Sequence, residues 1–161
     1  MKKAYVLVGV PGVGKSTAVQ KRFMHQNPKI LSTDNHIETY AEKQGKTYND
    51  VFPEYIKTAQ QLFDKDLHDA IDSGHECIVH DQTNLTAKSR SKVLTALLTA
   101  GYDVEAIVYL IPPDHKKRLN SRPGKTIPNH VLDSMIKTFN NDDNLPTLEE
   151  GFSKITFLME I

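Results

Sequence analysis

The run Gly9-Val10-Pro11-Gly12-Val13-Gly14-Lys15-Ser16-Thr17 fills the pattern G-x-x-x-x-G-K-S/T without a mismatch. Each residue type has a physical reason. Glycines let consecutive backbone N–H groups curl around an anion without side-chain obstruction. A helix opening at Lys15 would aim its unpaired N–H groups and the positive end of its dipole at the same point. Lys15 is spaced to reach the β- and γ-phosphates of a nucleoside triphosphate such as ATP, and the Ser16 hydroxyl to ligate Mg²⁺. Gly9, Pro11, Gly12, Val13, Gly14, Lys15, Ser16 and Thr17 form the candidate nucleotide-binding set. The alternative is a glycine-rich turn with an unrelated lysine, which leaves the full match unexplained.

Two carboxylates and two arginines extend the candidate chemistry. Asp34 follows the stretch Lys29–Thr33, where a carboxylate can orient a hydroxyl and accept its proton during phosphoryl transfer. Its competing role is a helix N-cap. Asp81 follows Cys77-Ile78-Val79-His80 and is the candidate metal residue beside Ser16, with capping of the next helix as its alternative. Thr83 and Asn84 are placed to position an acceptor or metal-bound water, and Thr86 to cap the following helix. His36 reads as a neighbouring loop residue, and His80 as a structural hydrogen-bonding one. Positive charge then concentrates between His115 and Lys125. Arg118 and Arg122 are four apart, so on a helix they share a face and suit a lid that closes guanidinium groups onto a transferring phosphoryl group. Pro123-Gly124 would end that helix and give the lid, residues 114–127, a hinge. Lys116 and Lys117 read as a solvated face, and Lys125 stands between the two roles.

Something must hold these residues at one place. Five short apolar segments read as strands: Ala4–Val10, Lys29–Thr33, Glu76–His80, Val104–Ile111 and Lys154–Ile161. Helical spacing recurs between them at Lys15–His25, Val51–Asp72, Ala87–Ala100 and Val131–Phe139, with Gly101 as a stop and Pro128 near a start. The polar stretch Glu38–Asp50 shows no clear period and is expected to fold over the acceptor side. Strands alternating with helices predict an α/β fold: a five-stranded parallel sheet in a three-layer sandwich. Ligands in such sheets bind outside the carboxyl ends of the strands, which is where Lys15, Asp34 and Asp81 fall.

Composition sets outer bounds. The 161 residues suit one domain, 1–161, at 39% hydrophobic and 25% charged residues. Twenty Lys and Arg balance twenty Asp and Glu, so no global basic field advertises nucleic-acid binding, and any such substrate needs a local patch. The lone Cys77 excludes a disulfide within the chain and a cysteine-built zinc site, and suits a reducing cytoplasm. Met1-Lys2-Lys3 and the apolar residues after it superficially resemble a secretory signal, yet Gly9, Pro11, Gly12 and Gly14 interrupt the run. No stretch approaches the roughly 18 apolar residues needed to cross a bilayer, so no membrane role is expected. The residues leave the oligomeric state open.

Taken together, these features resemble the kinase domain of the phage-type 5′-hydroxyl polynucleotide kinases, within the wider P-loop kinase group. The likeness spans most of the chain: Met1-Lys2-Lys3, the Gly9–Thr17 loop, Asn27-Pro28, Asp34, Thr83-Asn84-Leu85, Arg118-x-Asn120-Ser121-Arg122, Lys125, Pro128 and Val131-Leu132-x-Ser134-Met135. It implies a P-loop kinase fold with a helical lid, and ATP and Mg²⁺ as cofactors held by Lys15 and Ser16. It further implies Asp34 acting on a nucleic acid 5′-hydroxyl end, and Arg122 contacting the triphosphate. Two positions depart from the pattern, both on the acceptor side. Ile37 stands where the family has an arginine, and Gln82 where it has the aspartate before Thr-Asn-Leu, with Asp81 one step earlier. Ile37, Gln82, Thr83 and Asn84 are therefore the candidate acceptor-side residues beside Asp34. A hydroxymethylated base, a nucleoside or another small hydroxyl compound is the alternative acceptor, and an NTP-binding module without phosphotransfer is the third reading. The chain ends before the acidic phosphatase domain of the phage enzymes could begin, so 3′-phosphatase activity is not expected.

Overall fold

Runs such as Tyr5-Val6-Leu7-Val8 and Ala106-Ile107-Val108 are apolar at successive positions, as strands covered on both faces require. A computed structural model describes residues 1–160. In chain order it runs β1 (Lys3–Val8), α1 (Lys15–Arg22), β2 (Lys29–Leu31), α2 (Thr33–Gln44), α3 (Tyr48–Asp72) and β3 (Cys77–Asp81). There follow α4 (Ala87–Thr99), β4 (Asp103–Tyr109), α5 (His115–Asn120), α6 (Asn129–Phe139) and β5 (Lys154–Leu158). The sheet order is β2-β3-β1-β4-β5, and every pairing is parallel. Val6 lies level with His80 on one side and Ala106 on the other, and Leu31 with His80, so these side chains share a face. His80 meets the Phe63 ring of α3 on that face, at 5.3 Å between centroids. Tyr5 points the opposite way and lies 4.6 Å from Phe23, just past α1. Right-handed crossovers account for the two layers: α1 covers one face, and α3, α4 and α6 the other.

The expected three-layer α/β fold with five parallel strands is present, with shifts at the edges. The β2 strand stops at Leu31 because Ser32 caps a helix, its Oγ accepting from the Asn35 N–H at 3.2 Å. The polar segment 38–50, which shows no clear period in sequence, is largely helical. Most of it is α2, whose apolar residues Ile37, Tyr40 and Ala41 recur at helical spacing and bury against Val51, Tyr55 and Ala59 of α3. Tyr40 and Tyr55 stack with centroids 3.9 Å apart. Thr47 and Asp50 form a capping box that starts α3 at Tyr48, three residues before the expected Val51. Thr86 caps α4 as expected, with Ser89 reciprocating. The expected last strand shortens to Lys154–Leu158, and Ile161 lies outside the described residues.

A buried arginine fixes the far side of the sheet. Arg90 of α4 is fully enclosed and donates to Glu150 at 2.9 and 3.1 Å, to the Asn84 carbonyl at 2.8 Å and to the Asn144 carbonyl at 3.0 Å. It ties the loop after β3 to the segment leading into β5. No described helix is long and apolar enough to cross a membrane.

Candidate active site

The loop after β1 turns through two left-handed glycines, Gly12 at φ +83° and Gly14 at φ +94°. A Cβ on Gly12 would also collide with Leu119 of α5, at 2.7 Å, and one on Gly14 would crowd Glu160 at 3.0 Å. Gly14 caps α1 without a side-chain hydrogen bond, and the first turn of α1 holds no acidic residue, which leaves its N–H groups for an anion. The Gly9 N–H donates to the Thr83 carbonyl at 3.0 Å, and the Pro11 carbonyl accepts from His115 Nε2 at 2.7 Å. The loop is thus braced by β3 on one side and α5 on the other. Val13 is buried in the core, so it serves the cradle through its backbone alone.

Lys15 Nζ donates to the carbonyls of Gly9 at 2.7 Å and Val10 at 3.0 Å. Burial pulls its pKa down to about 8, with the carboxylates of Asp81 and then Asp34 opposing. Ser16 Oγ donates to Asp81 Oδ2 at 3.2 Å. Burial pushes the Asp81 carboxyl above its usual range, against the pull of Lys15 and the Ser16 hydrogen bond. No cluster of three His, Cys, Asp or Glu side chains is assembled among the described residues. The Ser16 hydroxyl and the Asp81 carboxylate suit Mg²⁺, which keeps several waters and combines one or two protein oxygens with substrate phosphates.

Asp34 sits in the first turn of α2 but is not its cap, since Ser32 takes that role. Its Oδ1 accepts from the Tyr48 hydroxyl at 2.7 Å and its Oδ2 from Lys125 Nζ at 3.1 Å. Burial and then the bond to Asp34 hold the Tyr48 phenol far above its usual range. Segment 114–127 crosses the cleft above these groups, from His115 on the phosphate loop to Gly124 and Thr126 on the start of α3. The helix in it ends at Asn120, so Arg118 and Arg122 do not share a helical face as expected. Both still line the cleft, and Arg122 Nε and Nη2 are shielded from solvent with no hydrogen-bond partner among the described residues. An oxyanion would satisfy them.

The cleft measures about 1030 Å³ and brings together Pro11, Gly12, Gly14, Lys15, Ser16, Thr17, Asp34, Asp81, Gln82, Thr83, Arg118 and Arg122. Two expected acceptor residues do not reach it. Ile37 is fully buried between α2 and α3, because its face of α2 is the apolar one. Asn84 is buried at φ +49° and donates its side-chain amide to the Leu7 carbonyl at 2.8 Å, which holds the loop after β3 to β1. His36 belongs to α2 rather than a loop and pairs with Asp66 at 2.6 Å. The His80 side chain lacks the expected hydrogen bond, both ring nitrogens being without a partner among the described residues, and burial pulls its pKa down to about 3. Segment 38–50 lines the cleft through Glu38, Glu42, Thr47 and Tyr48, as expected, and His115 and Leu119 lie in the expected lid segment. Glu160 is not anticipated, since it reaches the site from the far end of the chain and no local spacing marks it.

A model of the AAA domain family matches residues 5–141. The chain belongs to that family. This AAA domain is similar in fold to several solved structures. One is from the PezAT chromosomal toxin–antitoxin system of Streptococcus pneumoniae, 20% identical, covering 98% of this chain and 68% of that one at a TM-score of 0.71. A gluconokinase from Sinorhizobium meliloti is 16% identical over 96% of this chain and 81% of that one, TM-score 0.54. Shikimate kinase from Bacteroides thetaiotaomicron is 17% identical over 95% and 85%, TM-score 0.52. No curated protein matches the sequence. The fold is that of the P-loop kinases.

Proposed function

We propose that this AAA domain is an ATP- and Mg²⁺-dependent phosphotransferase whose acceptor is a hydroxyl group on a small molecule. The observation that carries this reading is one cleft in which Asp34 faces the Lys15–Ser16–Asp81 cluster, close enough for its charge to act on Lys15. Lys15 and Arg122 hold the γ-phosphoryl oxygens as charge moves onto them, and Arg118 adds a second guanidinium from the same side. Ser16 and Asp81 would hold Mg²⁺, which when bound neutralises phosphate charge. Asp34 orients the acceptor hydroxyl and takes its proton. The acceptor oxygen forms its bond to the γ-phosphorus while the bond from that phosphorus to the bridging oxygen breaks, releasing ADP.

Charge on the acceptor side favours a small molecule over a nucleic acid end. Asp34, Glu38 and Glu42 recur every four residues along α2 and all line the cleft. Lys125, the nearest cation, is already paired with Asp34 and Glu38 at 3.1 and 2.9 Å. A polynucleotide would bring phosphates beside its reacting hydroxyl and meet those carboxylates. Likeness to a gluconokinase and a shikimate kinase also supports a compact hydroxyl-bearing acceptor.

The test is transfer of label from γ-labelled ATP to a panel of sugars, sugar acids, nucleosides, hydroxymethylated DNA and 5′-hydroxyl oligonucleotides. Label in a small molecule is expected. Label confined to oligonucleotide ends would restore a polynucleotide kinase, and tight ATP binding with no labelled acceptor would leave a nucleotide-binding module.

A further inference from the structure

Resting on the phosphotransfer reading, we propose that Lys125 and Tyr48 are positioning residues for Asp34. Because Lys125 belongs to the segment crossing the cleft, Asp34 is held for reaction only when that segment is down. Two hydrogen bonds fix the carboxylate, one per oxygen: Tyr48 on Oδ1 at 2.7 Å and Lys125 on Oδ2 at 3.1 Å. Each carboxylate oxygen has two acceptor sites, so one on each remains for the acceptor hydroxyl. Among the described residues Lys125 is the one ion-pair partner of Asp34. Its own position is fixed three ways: by Glu38 at 2.9 Å, by the Tyr48 ring 4.6 Å beneath the ammonium, and by the chain on either side.

That chain is pinned to the start of α3. The Gly124 carbonyl accepts from the Asn49 N–H at 3.0 Å, Asn49 Nδ2 donates to Thr126 Oγ1 at 2.6 Å, and the Thr126 N–H returns to Asn49 Oδ1 at 3.2 Å. Gly124, at φ +66°, lies so close to Thr47 that an added Cβ would sit 2.5 Å from the Thr47 Cβ. Lys125 is thus bracketed by two pinned residues and delivered onto Asp34 with only 17% of its side chain exposed. Lifting this segment removes the cation from Asp34 and the cover from Tyr48 together. The same segment carries Arg122, so phosphate engagement and orientation of Asp34 arrive in one movement.

The test uses the full chain and ATP alone, with water as the acceptor and inorganic phosphate as the product. Lys125→Met is expected to lower kcat by about tenfold or more while leaving the ATP KM within about twofold, the pattern of an interaction needed in the transition state. Lys125→Arg should recover most of the loss, and Tyr48→Phe, which keeps the ring beneath the cation, should lower kcat by roughly threefold to tenfold. In an Asp34→Asn background Lys125→Met should cost nothing further, since a residue acting through Asp34 has nothing left to position. Wild-type kcat in Lys125→Met, or losses that multiply in the double variant, would overturn the inference alone. A wild-type protein that binds ATP, releases no phosphate to water and labels no hydroxyl in the acceptor panel would overturn the phosphotransfer reading and this inference with it; where only the panel is labelled, the same variants are read on that transfer.

Discussion

Lys15 is the residue where electrostatics and chemistry meet most directly. Burial holds its pKa near 8 in the free protein, well below the 10.5 of a solvated lysine. A polyphosphate beside the ammonium pulls that value back up, so nucleotide binding takes up a proton between about pH 8 and 10.5. Affinity for ATP should fall as pH climbs through that window. Calorimetry at pH near 8.5 in buffers of different ionisation heat reads the uptake, and Lys15→Met should abolish it while weakening binding by roughly 10–100-fold. The sign for the free fold is opposite. The unfolded chain keeps the proton longer, so this group adds stability as pH rises through the same window. Lys15, Ser16 and Asp34 are legible in sequence because a loop spacing or a strand end marks each of them. The contacts of Tyr48 and Lys125 with Asp34 are not, since they span 14 and 91 residues and carry no local signature.

Helix α2 and the segment crossing the cleft decide what happens to Asp34. In α2 one face carries Ile37 and Ala41 into the core and another carries Asp34, Glu38 and Glu42 into the cleft. With so few apolar residues the helical period is hard to see beside the charged ones, and the register that sends Ile37 inward becomes visible only once α3 is in place. The crossing segment depends on Gly124. Gly124→Ala forces a Cβ into a left-handed position and against Thr47, so the segment should lift from α3. Amide exchange at Asn49 and Thr126 should then accelerate and kcat fall, with Tm changed by only a few degrees because the sheet is untouched. A variant whose Tm collapses would instead make Gly124 part of the core fold.

For the whole molecule, the five parallel strands follow from alternation of apolar runs and helical spacing, whereas the strand order is visible only in the structure. What sequence spacing does not reveal is the clamp behind the sheet. Arg90 reaches residues 54 and 60 positions away, and a buried arginine looks in sequence like any surface one. Arg90→Ala leaves Glu150 without its cation and two carbonyls without their donor, which should destabilise the fold by about 3–5 kcal/mol and lower Tm by roughly 6–20 °C in thermal melts. The AAA domain fold and its phosphate loop belong to many nucleotide-binding proteins, so a phosphotransfer function rests on the groups across the cleft. The most direct measurement is therefore label transfer from γ-labelled ATP to the hydroxyl panel, wild type against Asp34→Asn, with ATP affinity measured alongside. A phosphotransferase that uses Asp34 to prepare the acceptor predicts unchanged ATP affinity and transfer reduced by about 10²–10⁴-fold in the variant. Equal transfer by the two proteins, or transfer by neither, would contradict it.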